Sequence, residues 1–300
     1  MDAGRTHRQP NPFDLDDDAA YRAWRERRLE RAPRTLDDLC VEVRDLEHPT
    51  TAEHGALLDR VRRTNMVLYH CSLTENRGAV LRFAEHFGLM RLDRNPGADD
   101  DGLSAIRVLA QRRPGEFIPY TDRAIRWHTD GYYNPPERRV RAFLLHCVRP
   151  ATQGGTNRLL DPELLYIRLR DADPAHIAAL MHPEAMTVPA HVEKGVELRP
   201  AQAGPVFAVL DEGAGPKLHL RYTARTRSIA WRNDTRTRAA VTRLEALLDT
   251  PLDGTFEHRL APGEGILCNN VLHSRGAFSD TSGSERLLYR ARFHERIANT

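Results

Sequence analysis

Residues 125–139 read IRWHTDGYYNPPERR, which sets His128 and Asp130 two apart among Trp127, Tyr132 and Tyr133, with Pro135 and Pro136 behind them. On an extended strand residues i and i+2 point to one face, so an imidazole nitrogen and a carboxylate oxygen can address a single point while Thr129 turns away. That is half of a chelate. A third donor is available downstream in CNNVLHSRGAF, where His273 closes an apolar run. Two imidazoles and one carboxylate on one side of an ion leave the opposite positions open, a donor set associated with non-haem Fe(II) chemistry. An H-x-D triplet is commonplace by itself, and a histidine at a strand end is often a hydrogen-bonded surface group.

A second feature lies just beyond His273. In SERLLYRARFHER, alternation predicts Arg286, Leu288, Arg290 and Arg292 on one face of a strand and Leu287, Tyr289, Ala291 and Phe293 on the other. The second set is a core face. The arginine row either meets solvent or lines an anion-binding cavity, and its place after His273 is where an acidic co-substrate on the metal would need a counter-charge.

The elements that must hold these residues are legible in outline. Residues 1–45 are charged and Pro-containing, with one helix predicted in DDAAYRAWRERRLERA, and read as an N-terminal arm on a single domain, 46–300. TAEHGALLDRVRRT predicts a helix, MVLYHC a short strand, and SLTENRGAVLRFAEHFG a helix opening at Ser/Thr and closing at Gly88. Strands are predicted in RRVRAFLLHCVR, GPVFAVLD, KLHLRYT, GTFEHRLA, GILCNNVLH and ERLLYRARFHER, with DTRTRAAVTRLEALLDT as the one late helix, capped by Asp234 or Thr235. This is a mainly β fold with flanking helices, a sheet-on-sheet barrel.

Composition narrows the rest. The 44 basic and 42 acidic residues of the 300 nearly cancel, which argues against a nucleic-acid partner. No run approaches the roughly 20 apolar residues of a membrane span. Cys40, Cys71, Cys147 and Cys268 are far apart and sit singly in apolar runs, so buried free thiols in a cytoplasmic protein are expected.

Several ordered motifs resemble the taurine/2,4-dichlorophenoxyacetate dioxygenase family, the Fe(II)- and 2-oxoglutarate-dependent oxygenases that include γ-butyrobetaine hydroxylase. WHTD is similar to the family's W-H-T-D, NNVLHSRGAF to its D-N-x-x-x-L-H-x-R-x-x-F, and RLLYR to its R-x-x-x-R, while FLLHCVRPATQGG resembles the strand and Gly-Gly turn after the first ligand pair. The resemblance runs from about Thr64 to Ile297. It implies a double-stranded β-helix (jelly-roll, cupin-like) core, with His128, Asp130 and His273 as ligands of catalytic Fe(II). It further implies that Arg286 pairs with the distal carboxylate of 2-oxoglutarate and that Arg290 lies nearer the metal-bound end of the co-substrate or an acidic group of the substrate. The family's threonine after Gly-Gly-x is displaced here, since GGTN puts Thr156 one place early and Asn157 at the matching position; either side chain can supply that hydrogen bond. The spacing SDTSGS between His273 and Arg286 is longer than the family's. With O2 as the other co-substrate, the implied reaction is hydroxylation of a C–H bond, yielding succinate and CO2, with desaturation or oxidative cleavage as variants; an intact Asp130 disfavours halogenation.

The substrate is less legible. Tyr132 and Tyr133 can either enclose a quaternary ammonium or pack a turn against Pro135 and Pro136. The basic stretch carrying Lys217, Arg221, Arg225, Arg227 and Arg232 either steers an anion, faces solvent or meets another copy in a homo-oligomer. The stretch 92–123 and VPAHVEKGVELRP are candidate lids over a small charged metabolite. Two rivals stand beside this reading. A structural zinc or small-molecule-binding barrel leaves Arg286 and Arg290 without a task, and an oxygenase acting on a protein would turn over no small metabolite.

Overall fold

The computed structural model describes residues 10–94, 98–108, 118–211, 215–225 and 229–300. The N-terminal third contains α1 (Asp18–Glu30), β1 (Cys40–Glu42), α2 (Thr51–Thr64), β2 (Met66–His70), α3 (Arg77–Glu85) and β3 (Ser104–Ile106). The middle holds β4 (Ile125–His128), β5 (Ala142–Arg149), β6 (Gln153–Gly154), β7 (Asn157–Leu160), α4 (Pro162–Ala172) and α5 (Pro174–Leu180). Short strands follow as β8 (Met186–Val188), β9 (His191–Glu193), β10 (Val196–Arg199), β11 (Gln202–Gly204), β12 (Phe207–Asp211), β13 (Pro216–Leu220) and β14 (Ala230–Trp231). The chain ends with α6 (Thr235–Asp249), β15 (Thr255–His258), β16 (Glu264–Cys268), β17 (Leu272–Arg275), β18 (Phe278–Ser279) and β19 (Leu287–Phe293).

Helix starts follow local chemistry. Thr50 caps α2 in a reciprocal box with Glu53, and Asn65 ends it in the left-handed region at φ 57°. The cap of α3 is Asn76, whose side chain accepts from the Ala79 amide at 3.0 Å, so this helix starts later than the Ser/Thr opening predicted. Asp234 rather than Thr235 caps α6. Helices α4 and α5 were not predicted, although each begins with the same signal: an aspartate cap, Asp161 or Asp173, followed by proline at the first helical position.

Two sheets carry the architecture. A six-stranded sheet runs β1-β2-β16-β5-β19-β3 and a four-stranded sheet β15-β7-β17-β4; every pairing is antiparallel except β1 with β2. One core layer draws Met66, Phe143, Ile266 and Leu288 from the large sheet and Leu159 and Phe256 from the small one, so the sheets face each other. Their ladders remain separate among the described residues, without closing into a barrel. The outer face of the large sheet buries Tyr289, Ala291 and Phe293 beneath α2 and α3, through Leu57, Val61, Val80 and Phe83. The outer face of the small sheet, through Trp127, Leu160 and Leu272, packs on α4, α5, α6 and the β12–β13 hairpin.

One strand expectation and one cysteine expectation change. GILCNNVLH is not one strand but two, β16 and β17, parted at Asn269–Asn270, where Asn270 takes φ 49°. Cys71, Cys147 and Cys268 are buried as expected, whereas Cys40, at the sheet edge on β1, is exposed.

Candidate metal centre

The four-stranded sheet sets the register of the site. His128 is the last residue of β4 and His273 lies directly opposite it on β17, with ring centroids 4.2 Å apart. Asp130 is not on the strand, as i, i+2 alternation supposed, but in the turn that follows it. Gly131 makes that turn possible at φ +66°, since a Cβ there would lie 2.4 Å from Val140 Cγ2. Asn270, in the turn between β16 and β17, then fixes the backbone of Asp130. Its Oδ1 accepts from the Asp130 amide at 2.8 Å, and its Nδ2 donates to the Asp130 and Val140 carbonyls at 2.9 and 2.7 Å. Asp130 thus converges with His128 from a turn rather than by strand alternation.

Protonation is set by equally local contacts. His128 Nδ1 lies 3.0 Å from the Arg126 carbonyl and His273 Nδ1 2.9 Å from the Val271 carbonyl, so each Nδ1 carries the proton and each Nε2 keeps its lone pair. Burial, reinforced by His273, depresses His128 to about 3; burial also lowers His273. Both rings are therefore neutral at neutral pH. Burial by itself would raise the Asp130 carboxyl, but the cations Arg290 and Arg292 outweigh it and hold it well below the usual carboxylate range. One donor atom from each of the three residues lies within 4.8 Å of the others. Asp130 Oδ2 is buried without a hydrogen-bond partner. Two neutral imidazoles converging with an ionised, under-satisfied carboxylate fit a borderline divalent cation.

The arginine row points inward. Arg286 and Arg292 are each 4% exposed, which removes the solvent-facing alternative. Arg286 lies over the Phe278 ring at 5.0 Å and its Nη1 is buried without a hydrogen-bond partner; burial pushes it down to about 10. Arg290 Nη1 donates to Asp130 Oδ1 at 3.3 Å. Asn157 shares the inward face with Leu159, and its Nδ2 lies 3.5 Å from the His258 carbonyl; Thr156, just before the strand, is engaged through its backbone carbonyl by Gly276 N at 2.9 Å.

Further residues complete the surroundings. Arg275 donates to the carbonyls of Pro119, Thr121 and Arg123, at 3.2, 2.7 and 2.5 Å, and so tethers the approach to β4. Arg292 donates to the Tyr133 hydroxyl at 3.1 Å and to Asp93 Oδ2 at 2.5 Å, with Asp93 only 2% exposed. The H-x-R spacing and the alternating arginines were visible signals for Arg275 and Arg292. Asp93 had none.

The peripheral expectations divide. Tyr132 and Tyr133 meet edge to face at 5.3 Å, and the cation over the Tyr133 ring is the chain's own Arg199, at 5.9 Å. Arg221 donates to four carbonyls, those of Tyr132, Met186, Gln202 and Gly204, which makes it a structural clasp. Arg225 is exposed, Arg232 pairs with Asp234 at 3.5 Å, and Arg227 lies outside the described residues. Of the candidate lids, 95–97 and 109–117 lie outside the described residues, while the β9–β10 hairpin presents Val192, Val196 and Leu198 to solvent. No helix among the described residues is long and apolar enough to cross a membrane.

Residues 34–292 match the family model described as taurine catabolism dioxygenase TauD, TfdA family. A uridine-5'-phosphate dioxygenase from Amycolatopsis sp is 29% identical over 178 residues, which cover 56% of this chain and 60% of that enzyme. An asparagine oxygenase solved with Fe(II), 2S,3S-3-hydroxyasparagine and succinate superposes with a TM-score of 0.55 at 18% identity, over 96% of this chain and 86% of that one. The non-heme iron oxygenase OrfP with Fe and alpha-ketoglutaric acid gives 0.60 at 15%, over 83% and 81%. At these identities the superpositions speak to the fold alone.

Proposed function

The chain belongs to the TauD/TfdA family, and from that premise we propose that it is an Fe(II)- and 2-oxoglutarate-dependent dioxygenase that hydroxylates a C–H bond of a small charged metabolite. The observation that carries this reading is the buried, unpartnered Asp130 Oδ2 beside two imidazoles whose Nδ1 atoms are already committed, together with the buried Arg286, whose Nη1 has no hydrogen-bond partner. The two facing sheets correspond to the halves of a double-stranded β-helix, on which His128, Asp130 and His273 would hold a metal.

His128 Nε2, His273 Nε2 and Asp130 would hold Fe(II), which when bound activates O2 at the expense of 2-oxoglutarate and yields succinate and CO2. Arg286, desolvated and backed by the Phe278 ring, binds the distal carboxylate, where a charge-assisted pair in a dry site is strong. Asn157, on the same inward face, supplies the accompanying hydrogen bond in preference to Thr156. Arg290, which donates to Asp130 Oδ1, would also be the cation to meet an acid group of the substrate or the near end of the co-substrate. The dioxygenase relative that acts on uridine-5'-phosphate supports an anionic substrate; the asparagine oxygenase holding 3-hydroxyasparagine supports hydroxylation as the outcome. The buried thiols Cys71, Cys147 and Cys268 suit a cytoplasmic setting.

The test is anaerobic addition of Fe(II) and then 2-oxoglutarate, followed by the visible metal-to-ligand charge-transfer band. His273→Ala should abolish the band, and Arg286→Ala should raise the 2-oxoglutarate concentration needed for it by roughly 10- to 100-fold, the equivalent of a lost charge-assisted hydrogen bond. A wild-type protein that binds Fe(II) but gives no band with 2-oxoglutarate would overturn the proposal.

A further inference from the structure

Behind Asp130 lies a unit that the metal ligands and the co-substrate arginine do not account for. Arg292 is 4% exposed, and its Nη1 lies 3.9 Å from Asp130 Oδ1 and 3.1 Å from the Tyr133 hydroxyl, while its Nη2 meets Asp93 Oδ2 at 2.5 Å. Asp93 is 2% exposed and is reached from three further sides: Asn134 Nδ2 at 3.2 Å, Arg138 Nη2 at 3.7 Å and His294 Nε2 at 3.9 Å. Its backbone amide also donates to the Arg292 carbonyl at 2.8 Å. Tyr133, Asn134 and Arg138 all belong to the segment that leaves Asp130, so one buried carboxylate gathers strand β19 and that segment around a single guanidinium.

We infer that Asp93 and Arg292 form a positioning pair that braces the Asp130 carboxylate for the metal without adding net charge to the site. The inference rests on the proposed function, because it concerns the same metal. Two guanidinium groups flank Asp130, and each opposes a dication placed on that carboxylate. Among the described residues, Arg290 pairs with no carboxylate other than Asp130 itself. Arg292 is different, because its charge is cancelled by Asp93 in a buried, multiply hydrogen-bonded pair. It can therefore fix the orientation of Asp130 and Tyr133 while leaving the attraction between carboxylate and metal nearly intact. Partners one step removed from a metal commonly tune affinity by about 10- to 100-fold.

The test uses the full chain and Co(II), titrated anaerobically through its visible absorption, with no turnover required. Asp93→Asn leaves Arg292 as an uncompensated cation, and Asp93→Asn/Arg292→Gln removes both charges while keeping amides of similar size. Both are expected to bind Co(II) at least tenfold more weakly than the wild type, and the double variant to keep the wild-type melting midpoint. Tyr133→Phe removes one arm and no buried charge; it is expected to bind severalfold more weakly, and it decides the question if the charge variants lose their fold. Affinities within twofold of wild type in the folded variants would overturn the inference. A wild type that binds neither Co(II) nor Fe(II) would instead defeat the proposed function itself.

Discussion

Each buried titratable residue of the site is tuned by its neighbours rather than by its own chemistry. Asp130 stays ionised because cations outweigh its desolvation, while the imidazoles stay neutral because their desolvation outweighs the opposing pull of Asp130 and of their backbone contacts. The same physics acts at His219 on β13, which burial and then Arg139, Arg141, Arg296 and Arg221 depress to about 3. A histidine with a folded-state value below its ordinary 6.5 is protonated first in the unfolded chain, so it supports the fold above about 6.5 and withdraws that support as pH falls towards 3. Urea midpoints measured between pH 7 and pH 4 should therefore decline more steeply in wild type than in His219→Gln. Parallel declines would show that His219 carries none of the acid sensitivity.

Among the elements, the turn between β16 and β17 has the largest influence on the site. Asn270 takes a left-handed backbone there and lends its amide to both sides of the Asp130 turn, one group accepting and one donating. Only an amide satisfies that pattern. Asn270→Asp keeps the shape but turns a carboxylate oxygen towards the Asp130 and Val140 carbonyls, leaving an unpaired charge in a buried position. The expected cost is about 2–4 kcal/mol by denaturant titration, together with weaker metal binding. A stability within about 0.5 kcal/mol of wild type would mean that the turn is held by other contacts.

Across the whole molecule, the N-terminal helix is joined to the sheets by buried charge. Arg28 on α1 meets Asp161 at 2.5 Å and Glu163 at 2.6 Å, where α4 begins, and also donates to the Arg62 and Arg63 carbonyls at the end of α2. Asp161 in turn caps α4 and accepts from Asn65. Arg28→Met would leave two carboxylates with little solvent and only the farther Arg296 and Lys217 as counter-charge, and is expected to cost about 3 kcal/mol, read as a fall in the urea midpoint. Strand β1, within the same N-terminal arm, pairs with β2 in the six-stranded sheet, so the arm contributes to the body as well as lying on it.

What the sequence determined follows from periodicity and from motif. Alternation in ERLLYRARF separated the inward arginines from Tyr289, Ala291 and Phe293, and the order of WHTD, NNVLHSRGAF and RLLYR located the candidate ligands, because strand geometry and short motifs are local properties. The paired aspartate–proline caps of α4 and α5 were equally local and were passed over. Only the tertiary structure decided that the arginine row is enclosed, since one strand cannot reveal whether a second sheet covers its face. It alone set His273 opposite His128, moved Asp130 off the strand into a turn clasped by Asn270, and brought Asp93 to Arg292 across 199 residues. Contacts between residues so distant in the chain depend on the register and packing of whole sheets, which no short window of sequence contains.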